Sequence, residues 1–187
     1  MLITKEQATV ALAEAGAADE RARTLTRYRH FAPHAILWGA IWLIANTISD
    51  LYPAWASRAW MTLLIAGVGG GFWIGVRAGR AQRAEGQAGQ GWRWLLSMLV
   101  LFGFLFAGLA VLAPNNGAQA GTFISLFFAA AYMMYGIWSG WKVLLLGGVM
   151  AAALLIGYFA MQSHYQLWMG AVAGGCMIVG GLWMRQA

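Results

Sequence analysis

The sequence has few charged residues. Only 10% of its 187 residues are Asp, Glu, Lys or Arg, whereas an ordinary soluble domain has roughly 25%. Hydrophobic residues make up 61%, so the chain has too few polar side chains to cover itself in water. This composition excludes an ordinary soluble domain and favours lipid as the surrounding solvent.

Residues that carry chemistry are also scarce. The one cysteine, Cys176, cannot form an intramolecular disulfide, and we interpret it as a small buried hydrophobe. Of six acidic residues, only Asp50 adjoins an apolar run, which argues against acid–base catalysis within a membrane. His30 and His34 are four residues apart, but Pro33 separates them and no third ligand is near. No serine elbow, HExxH motif or phosphate loop is present. We therefore expect no enzyme, no cofactor and no metal site.

Six apolar runs are long enough to cross a bilayer as helices, which takes roughly 20 residues each. Helices are expected because isolated strands would leave backbone groups unpaired in lipid. The sequence predicts an all-α polytopic membrane protein whose spans form three hairpins, one–two, three–four and five–six. The spans are 31–51, 59–76, 94–112, 121–139, 143–161 and 167–184, within a bundle of residues 31–185. The small polar segment 81–91 is predicted as a loop.

A short amphipathic helical segment, residues 1–30, is predicted to precede the bundle. Thr4 and Gln7 have the spacing of a capping box. Gly16 interrupts the alanine-rich stretch that follows, so we expect two short helices or one helix broken at Gly16. The segment is either a basic anchor for anionic headgroups or a docking element for a soluble partner.

Lysine and arginine predict the orientation. Eleven of the twelve lie on one side of the predicted membrane, and only Arg58 lies opposite. The positive-inside rule then places both termini in the cytoplasm. Because these residues lie between apolar spans and form no patch on a soluble domain, we expect no nucleic-acid binding.

Three span ends share a pattern of glycine, tryptophan and a cation, at 71–77, 136–142 and 181–185. The pattern is typical of the membrane interface, where tryptophan and cations anchor a helix and glycine admits a neighbour. It reflects either duplication or three solutions to one interface problem. The predicted interfacial anchors are Trp73, Arg77, Trp138, Lys142, Trp183 and Arg185.

Glycines also recur every four residues on spans two and six. Such small faces let helices pack closely in lipid, either within one chain or as a seam between two copies. The predicted packing glycines are Gly67, Gly71, Gly75, Gly170 and Gly174.

The first span carries a candidate polar face with residues spaced by four: His34, Trp38, Trp42, Asn46 and Asp50. Residues with this spacing are neighbours on a helix. One interpretation is an aromatic-lined polar cavity in which Asp50 couples protons or binds a cation. The other places Asp50 at the outer interface, in contact with water.

Several segments resemble a family of small six-helix bacterial inner-membrane proteins without an assigned function. They are Tyr28–Phe31, Leu37–Trp42, Gly157–Phe159, Leu167–Met169, Gly174–Gly175 and Gly180–Arg185. The resemblance implies the bacterial inner membrane as location and, at most, a membrane component of a regulatory pair. It carries over no catalytic residue.

Three functional hypotheses follow. The first is a non-enzymatic membrane sensor or regulatory partner that contacts a cytoplasmic protein through residues 1–30. The second is a small-solute transporter or channel that acts as a homo-oligomer. The third is a lipid- or quinone-binding subunit of a membrane complex.

Overall fold

The computed structural model describes residues 4–84 and 91–186, and it is helical almost throughout. Six stretches are long and apolar enough to cross a membrane, so the predicted all-α polytopic fold is confirmed. The main elements are α1 (Lys5–Leu51), α2 (Ala56–Ala84), α3 (Gly91–Leu112), α4 (Gly117–Ser139), α5 (Trp141–Ala160), α6 (Tyr165–Trp168), a π-helical segment (Met169–Gly174) and α7 (Gly175–Arg185). The last three together form the sixth span. The predicted loop 81–91 overlaps the end of α2, and residues 85–90 lie outside the described residues.

Helix α1 is continuous over 47 residues. The predicted capping box is confirmed: the backbone N–H of Gln7 donates to the Thr4 hydroxyl at 3.3 Å, and that of Thr4 donates to the Gln7 side chain at 3.1 Å. The predicted break at Gly16 is wrong. A glycine costs a helix only about 1 kcal/mol relative to alanine, and the alanine-rich sequence on both sides favours the helix. Pro33 also lies inside α1 without ending it.

The spans pack in an order that differs from their order along the chain. Helix α1 lies between α2 and the sixth span, α5 lies between the sixth span and α4, and α3 touches the edge of α4. We call the end of the bundle with Tyr28, Gly140 and Arg185 the Tyr28 end. The opposite end, with Asp50, Asn116 and His164, is the Asp50 end.

Of the predicted hairpins, one–two and five–six pack together, whereas three–four is in contact only weakly. The closest neighbours are α4 with α5 and α1 with the sixth span, whereas α3 contacts α4 mainly through phenylalanine rings such as Phe104 on Phe127. The reason is side-chain size. Gly136 and Gly147 let the backbones of α4 and α5 approach closely, while α3 presents bulky Leu and Phe side chains.

Two of the predicted packing glycines, Gly170 and Gly174, bring the sixth span against α1. A Cβ on Gly174 would lie 2.8 Å from the carbonyl oxygen of Gly39, and one on Gly39 would lie 2.7 Å from that of Gly174. A Cβ on Gly170 would lie 3.1 Å from the Leu43 carbonyl oxygen. Only glycine permits such a separation of helix axes.

The predicted packing glycines of α2 differ among themselves. Gly67 lies tightly against Ile41 and Trp38, and Gly71 makes only ordinary contact with His34. Gly75 has no described atom near the position of a Cβ, so it takes no part in packing within the described chain. Its role in a seam between two copies stays a prediction.

Candidate functional site

The five side chains of the first-span face do not share one surface. Each step of four residues overshoots a helical turn by about 40°, so the set winds through about 160° along the span. At one end of the set His34 lies beside Gly71 of α2, and farther along Asn46 lies beside Gly170 of the sixth span. Asp50 faces His164 at the Asp50 end. The structure thus distributes these residues among three neighbours.

Asn46 satisfies its amide group locally. The side chain is buried, and its Nδ2 donates to the carbonyl oxygen of Trp42, one turn earlier in α1, at 2.9 Å. Trp42 is itself part of the buried core. None of the five side chains lines either of the two cavities described below.

The Asp50 end holds a second set of polar groups. The Asp50 carboxylate lies 3.7 Å from Nδ1 of the exposed His164, and the hydroxyls of Thr122 and Tyr165 form a hydrogen bond. These contacts join α1 to the turn before α6, and α4 to α6. A cavity of about 190 Å³ lies beside them. Its lining residues are Asn116, Ala118, Tyr158, Gln162 and Tyr165.

Among the described residues, the polar site with the most contacts between helices lies at the other end of the bundle, where α1 meets the turn between α4 and α5. We call it the Tyr28 junction, formed by Arg27, Tyr28, Trp138, Gly140 and Lys142. The Arg27 guanidinium donates to the Trp138 carbonyl oxygen at 2.7 Å, and the Lys142 backbone N–H donates to the Tyr28 hydroxyl at 3.3 Å. Tyr28 is only 3% exposed. The junction therefore fixes α1 to both helices of the tightest hairpin.

Gly140 makes this junction possible. Its φ of +128° is a conformation that side chains disfavour. It also leaves free the space into which the Tyr28 hydroxyl fits, because a Cβ on Gly140 would collide with that oxygen. One glycine thus both reverses the chain between α4 and α5 and receives the tyrosine.

Lys142 extends the junction to the end of α7. Its ammonium lies 4.4 Å from the centre of the Trp183 ring and 5.6 Å from that of the Tyr28 ring. A cation over aromatic faces is stabilised by roughly 0.5–2 kcal/mol. Helix α7 is therefore held to α5 and α1 at the same place.

The three repeated span ends are not used alike. Arg77 stacks on Trp73 of its own repeat at 4.5 Å, whereas Lys142 of the second repeat stacks on Trp183 of the third. Trp138 is 70% exposed and contributes its carbonyl oxygen to Arg27. The anchor residues thus have different partners in the structure, whatever the origin of the repeat.

Sequence reasoning missed the Tyr28 junction, although signals for it were present. A tyrosine at the membrane end of an arginine-rich segment has an apolar ring and a hydroxyl that needs a partner when buried. A lone glycine between two spans indicates a turn too tight for other residues. Neither signal reveals that the two features meet, because α1 and the turn are more than a hundred residues apart.

Within the described residues, no three His, Cys, Asp or Glu side chains converge as a metal site would require. Comparison with protein-family models, with curated proteins and with solved structures found no match. The resemblance to a bacterial inner-membrane family stays a prediction. Function is therefore inferred from the geometry of this chain alone.

Proposed function

We propose that the protein is a non-enzymatic membrane sensor or regulatory partner that contacts a soluble cytoplasmic protein. The contact is made by the arm, which we define as residues 4–27. One observation carries the proposal: the arm and the central span of the bundle are a single helix. A displacement of that span within the membrane therefore moves the arm with it.

The arm extends well beyond the bundle. Its 24 residues correspond to roughly 36 Å of helix, and residues 4–23 are all exposed. Val10 and Leu12 are 57% and 74% exposed although both are apolar. An exposed helix with apolar side chains and a fixed base is suited to packing against a helix or groove of a partner.

Charge divides the arm into two halves, which favours docking over simple anchoring. Residues 4–20 contain four acidic side chains and one basic side chain, whereas residues 21–29 contain four arginines. Anionic headgroups attract the arginines beside the membrane and repel the acidic half. The acidic half is thereby held away from the lipid, where a cytoplasmic partner can reach it.

The Tyr28 junction couples movements of the transmembrane helices to the arm. The base of the arm contacts the α4–α5 turn, and that turn contacts α7 through Lys142 and Trp183. Any rearrangement among these helices changes the direction of the arm. The cytoplasmic location of this end follows from the positive-inside prediction and is part of the proposal.

A photo-crosslinking residue in place of Leu12 tests the binding step in cells. We expect one soluble protein to be captured there, and capture should fall sharply when Arg58, at the opposite end of the bundle, carries the probe instead. The proposal fails if Leu12 captures no soluble protein and cells whose chain lacks residues 4–27 grow and transcribe as the parent does.

Two substitutions of Gly16 test the coupling step. No described atom lies within 4 Å of a Cβ at this position, so neither replacement disturbs packing. Gly16→Ala keeps the helix, while Gly16→Pro kinks or breaks it at a cost of about 3 kcal/mol. Around Pro33 the buried Ala32 and Ala35 hold the helix in place, and no described residue packs in this way at residue 16. We expect Gly16→Ala to keep the regulatory output and Gly16→Pro to abolish it at equal protein levels. Full output from Gly16→Pro would show that continuity is not required.

A further inference from the structure

A groove of about 820 Å³ lies along α1 beside the end of α7. Its lining residues are Arg29, Pro33, Ile36, Leu37, Ala40 and Arg185. We propose that this groove binds one anionic phospholipid whose headgroup carries free hydroxyls, such as phosphatidylglycerol. The inference does not rest on the proposed function, because it concerns a different surface.

The charge at the mouth of the groove favours a phosphate group. Arg29 and Arg185 come from opposite ends of the chain and line the same groove, and both are exposed. Neither forms an ion pair with an acidic side chain among the described residues. Two guanidinium groups offer the forked donors that match phosphate oxygens. An anion between them also removes the repulsion of two like charges.

The walls of the groove favour an acyl chain below that phosphate. Pro33, Ile36, Leu37 and Ala40 are apolar, and they extend for about 10 Å along α1 from Pro33 toward the middle of the span. A free phosphate would leave this apolar surface unoccupied. A phospholipid fills both parts, which is why we assign the site to lipid and not to a soluble anion.

Pro33 supplies the argument for hydroxyls in the headgroup. In an α-helix the N–H of residue 33 would donate to the carbonyl oxygen of residue 29, but proline has no N–H. The Arg29 carbonyl is therefore left without that donor on the face of α1 that lines the groove. A hydroxyl of the headgroup can donate to this oxygen while the phosphate accepts from the arginines. Phosphatidylglycerol carries alcohol hydroxyls beside its phosphate, whereas the headgroup of phosphatidic acid has no alcohol hydroxyl.

Lipid retention by the purified full-length protein tests the proposal. The protein is equilibrated with phosphatidylglycerol, phosphatidic acid or phosphatidylcholine of the same acyl chains, and bound lipid is counted by native mass spectrometry. We expect one retained phosphatidylglycerol, weaker retention of phosphatidic acid and none of phosphatidylcholine. Equal retention of the three lipids, or complete release of phosphatidylglycerol by inorganic phosphate, would overturn the proposal.

A matched pair of double variants locates the site. Arg29→Gln with Arg185→Gln should weaken phosphatidylglycerol retention by about tenfold or more, because two charge-assisted contacts are lost. Arg77→Gln with Arg93→Gln removes the same charge from residues that stack on Trp73 and Trp92, away from the groove. This control should retain the lipid. Equal loss in both pairs would indicate general attraction to a basic surface and would contradict a specific groove.

A third variant probes the apolar part without changing charge. Ala40→Phe places a ring in the groove, so we expect it to lower phosphatidylglycerol retention while the melting temperature in detergent stays near that of the parent. Unchanged retention in a folded Ala40→Phe protein would show that the acyl chain does not occupy the groove.

Discussion

At the Tyr28 junction a hydroxyl group occupies the volume in which a side chain on residue 140 would otherwise lie. The absence of a Cβ on Gly140 permits both the backbone turn and the docking of the tyrosine. For the same reason, residue 140 does not tolerate a larger side chain. A substitution at residue 140 both strains the turn and displaces Tyr28, and both effects lower the stability of the protein.

We therefore predict that Gly140→Ala destabilises the protein by about 2 kcal/mol or more, from the left-handed conformation and the displaced tyrosine together. Gly148→Ala, in the same helical hairpin but with open space around the added methyl group, should have little effect. Thermal denaturation of both variants in detergent measures the difference. Equal melting temperatures would mean that the turn relaxes without cost.

Gly174 and Gly175 allow a sharper comparison, since they are adjacent in the sequence. A methyl group on Gly174 would lie 2.8 Å from backbone atoms of α1, whereas nothing lies within 4 Å of one on Gly175. We expect Gly174→Ala to lower stability by roughly 1–3 kcal/mol through overpacking, and Gly175→Ala to be neutral or slightly stabilising. Melting temperatures in lipid nanodiscs test this, and the reverse ranking would contradict the described interface.

At the scale of the helix, α1 combines two environments in one element. Its first half is exposed and its second half is the central span of the bundle. Between the two halves, the Arg27 guanidinium donates a hydrogen bond to Trp138, which lies 111 positions later in the chain. This contact links α1 to the rest of the protein. Among the described residues, the nearby Arg23 pairs with Asp19 alone, on the same helix, where both side chains are exposed.

Arg27→Gln should therefore loosen the base of the arm, whereas Arg23→Gln should not. Loss of the Arg27 contact removes a charge-assisted hydrogen bond, which is worth about 1.5–3 kcal/mol. Hydrogen exchange of backbone amides around residues 138–143 is expected to accelerate about tenfold or more in Arg27→Gln. If exchange there is equally slow in both variants, Arg27 does not hold the turn.

The sixth span contains the element that sequence patterns could not reveal. Its π-helical turn, Met169–Gly174, is built of small and apolar residues that fit an α-helix equally well. Composition and length were sufficient to place the span, because lipid requires a continuous helical segment of about 20 residues. The choice between α and π depends on contact with α1, which is determined by tertiary packing.

At the scale of the whole molecule, stability is concentrated in the helices around the sixth span. Among the described residues, the largest fully buried side chains are Met150, Leu154, Met184 and Val143, all on α5 and α7. Helix α3 lies outside this core, and most of its apolar side chains are exposed toward the surrounding lipid. Removal of a side chain should therefore have very different effects in the two places.

We predict that Met150→Ala costs about 2 kcal/mol, mainly through lost van der Waals contacts, because lipid already solvates apolar groups and burial adds less than in water. Leu99→Ala, at a position that is 62% exposed, should cost well under 1 kcal/mol. Reversible unfolding in detergent measures both. A larger loss at Leu99 would place α3 in a tighter interface than the described chain shows.

The fold could be predicted from the sequence more fully than the candidate site. The number of spans, the capped start of α1 and the close glycine contacts at Gly67, Gly170 and Gly174 follow from hydropathy and residue size. The closest contacts, α4 with α5 and α1 with the sixth span, do not follow, since six apolar helices can be arranged in many ways in lipid. The residues of the first-span face do not share one surface, because positions four residues apart rotate progressively around a helix. The Tyr28 junction could not be predicted, because it depends on contacts between segments that are far apart in the sequence.

The position of α1 has a consequence for biosynthesis. Among the described spans, the closest partner of α1 is the sixth, since Gly39 meets Gly174 and Ala32 meets Gly181. Translation proceeds from the N-terminus, so the tight face of α1 lacks this partner while the second to fifth spans are synthesised. A chain that stops before residue 165 inserts five spans and leaves that face open to proteases and foreign helices, and membrane quality control would recognise it as unfinished.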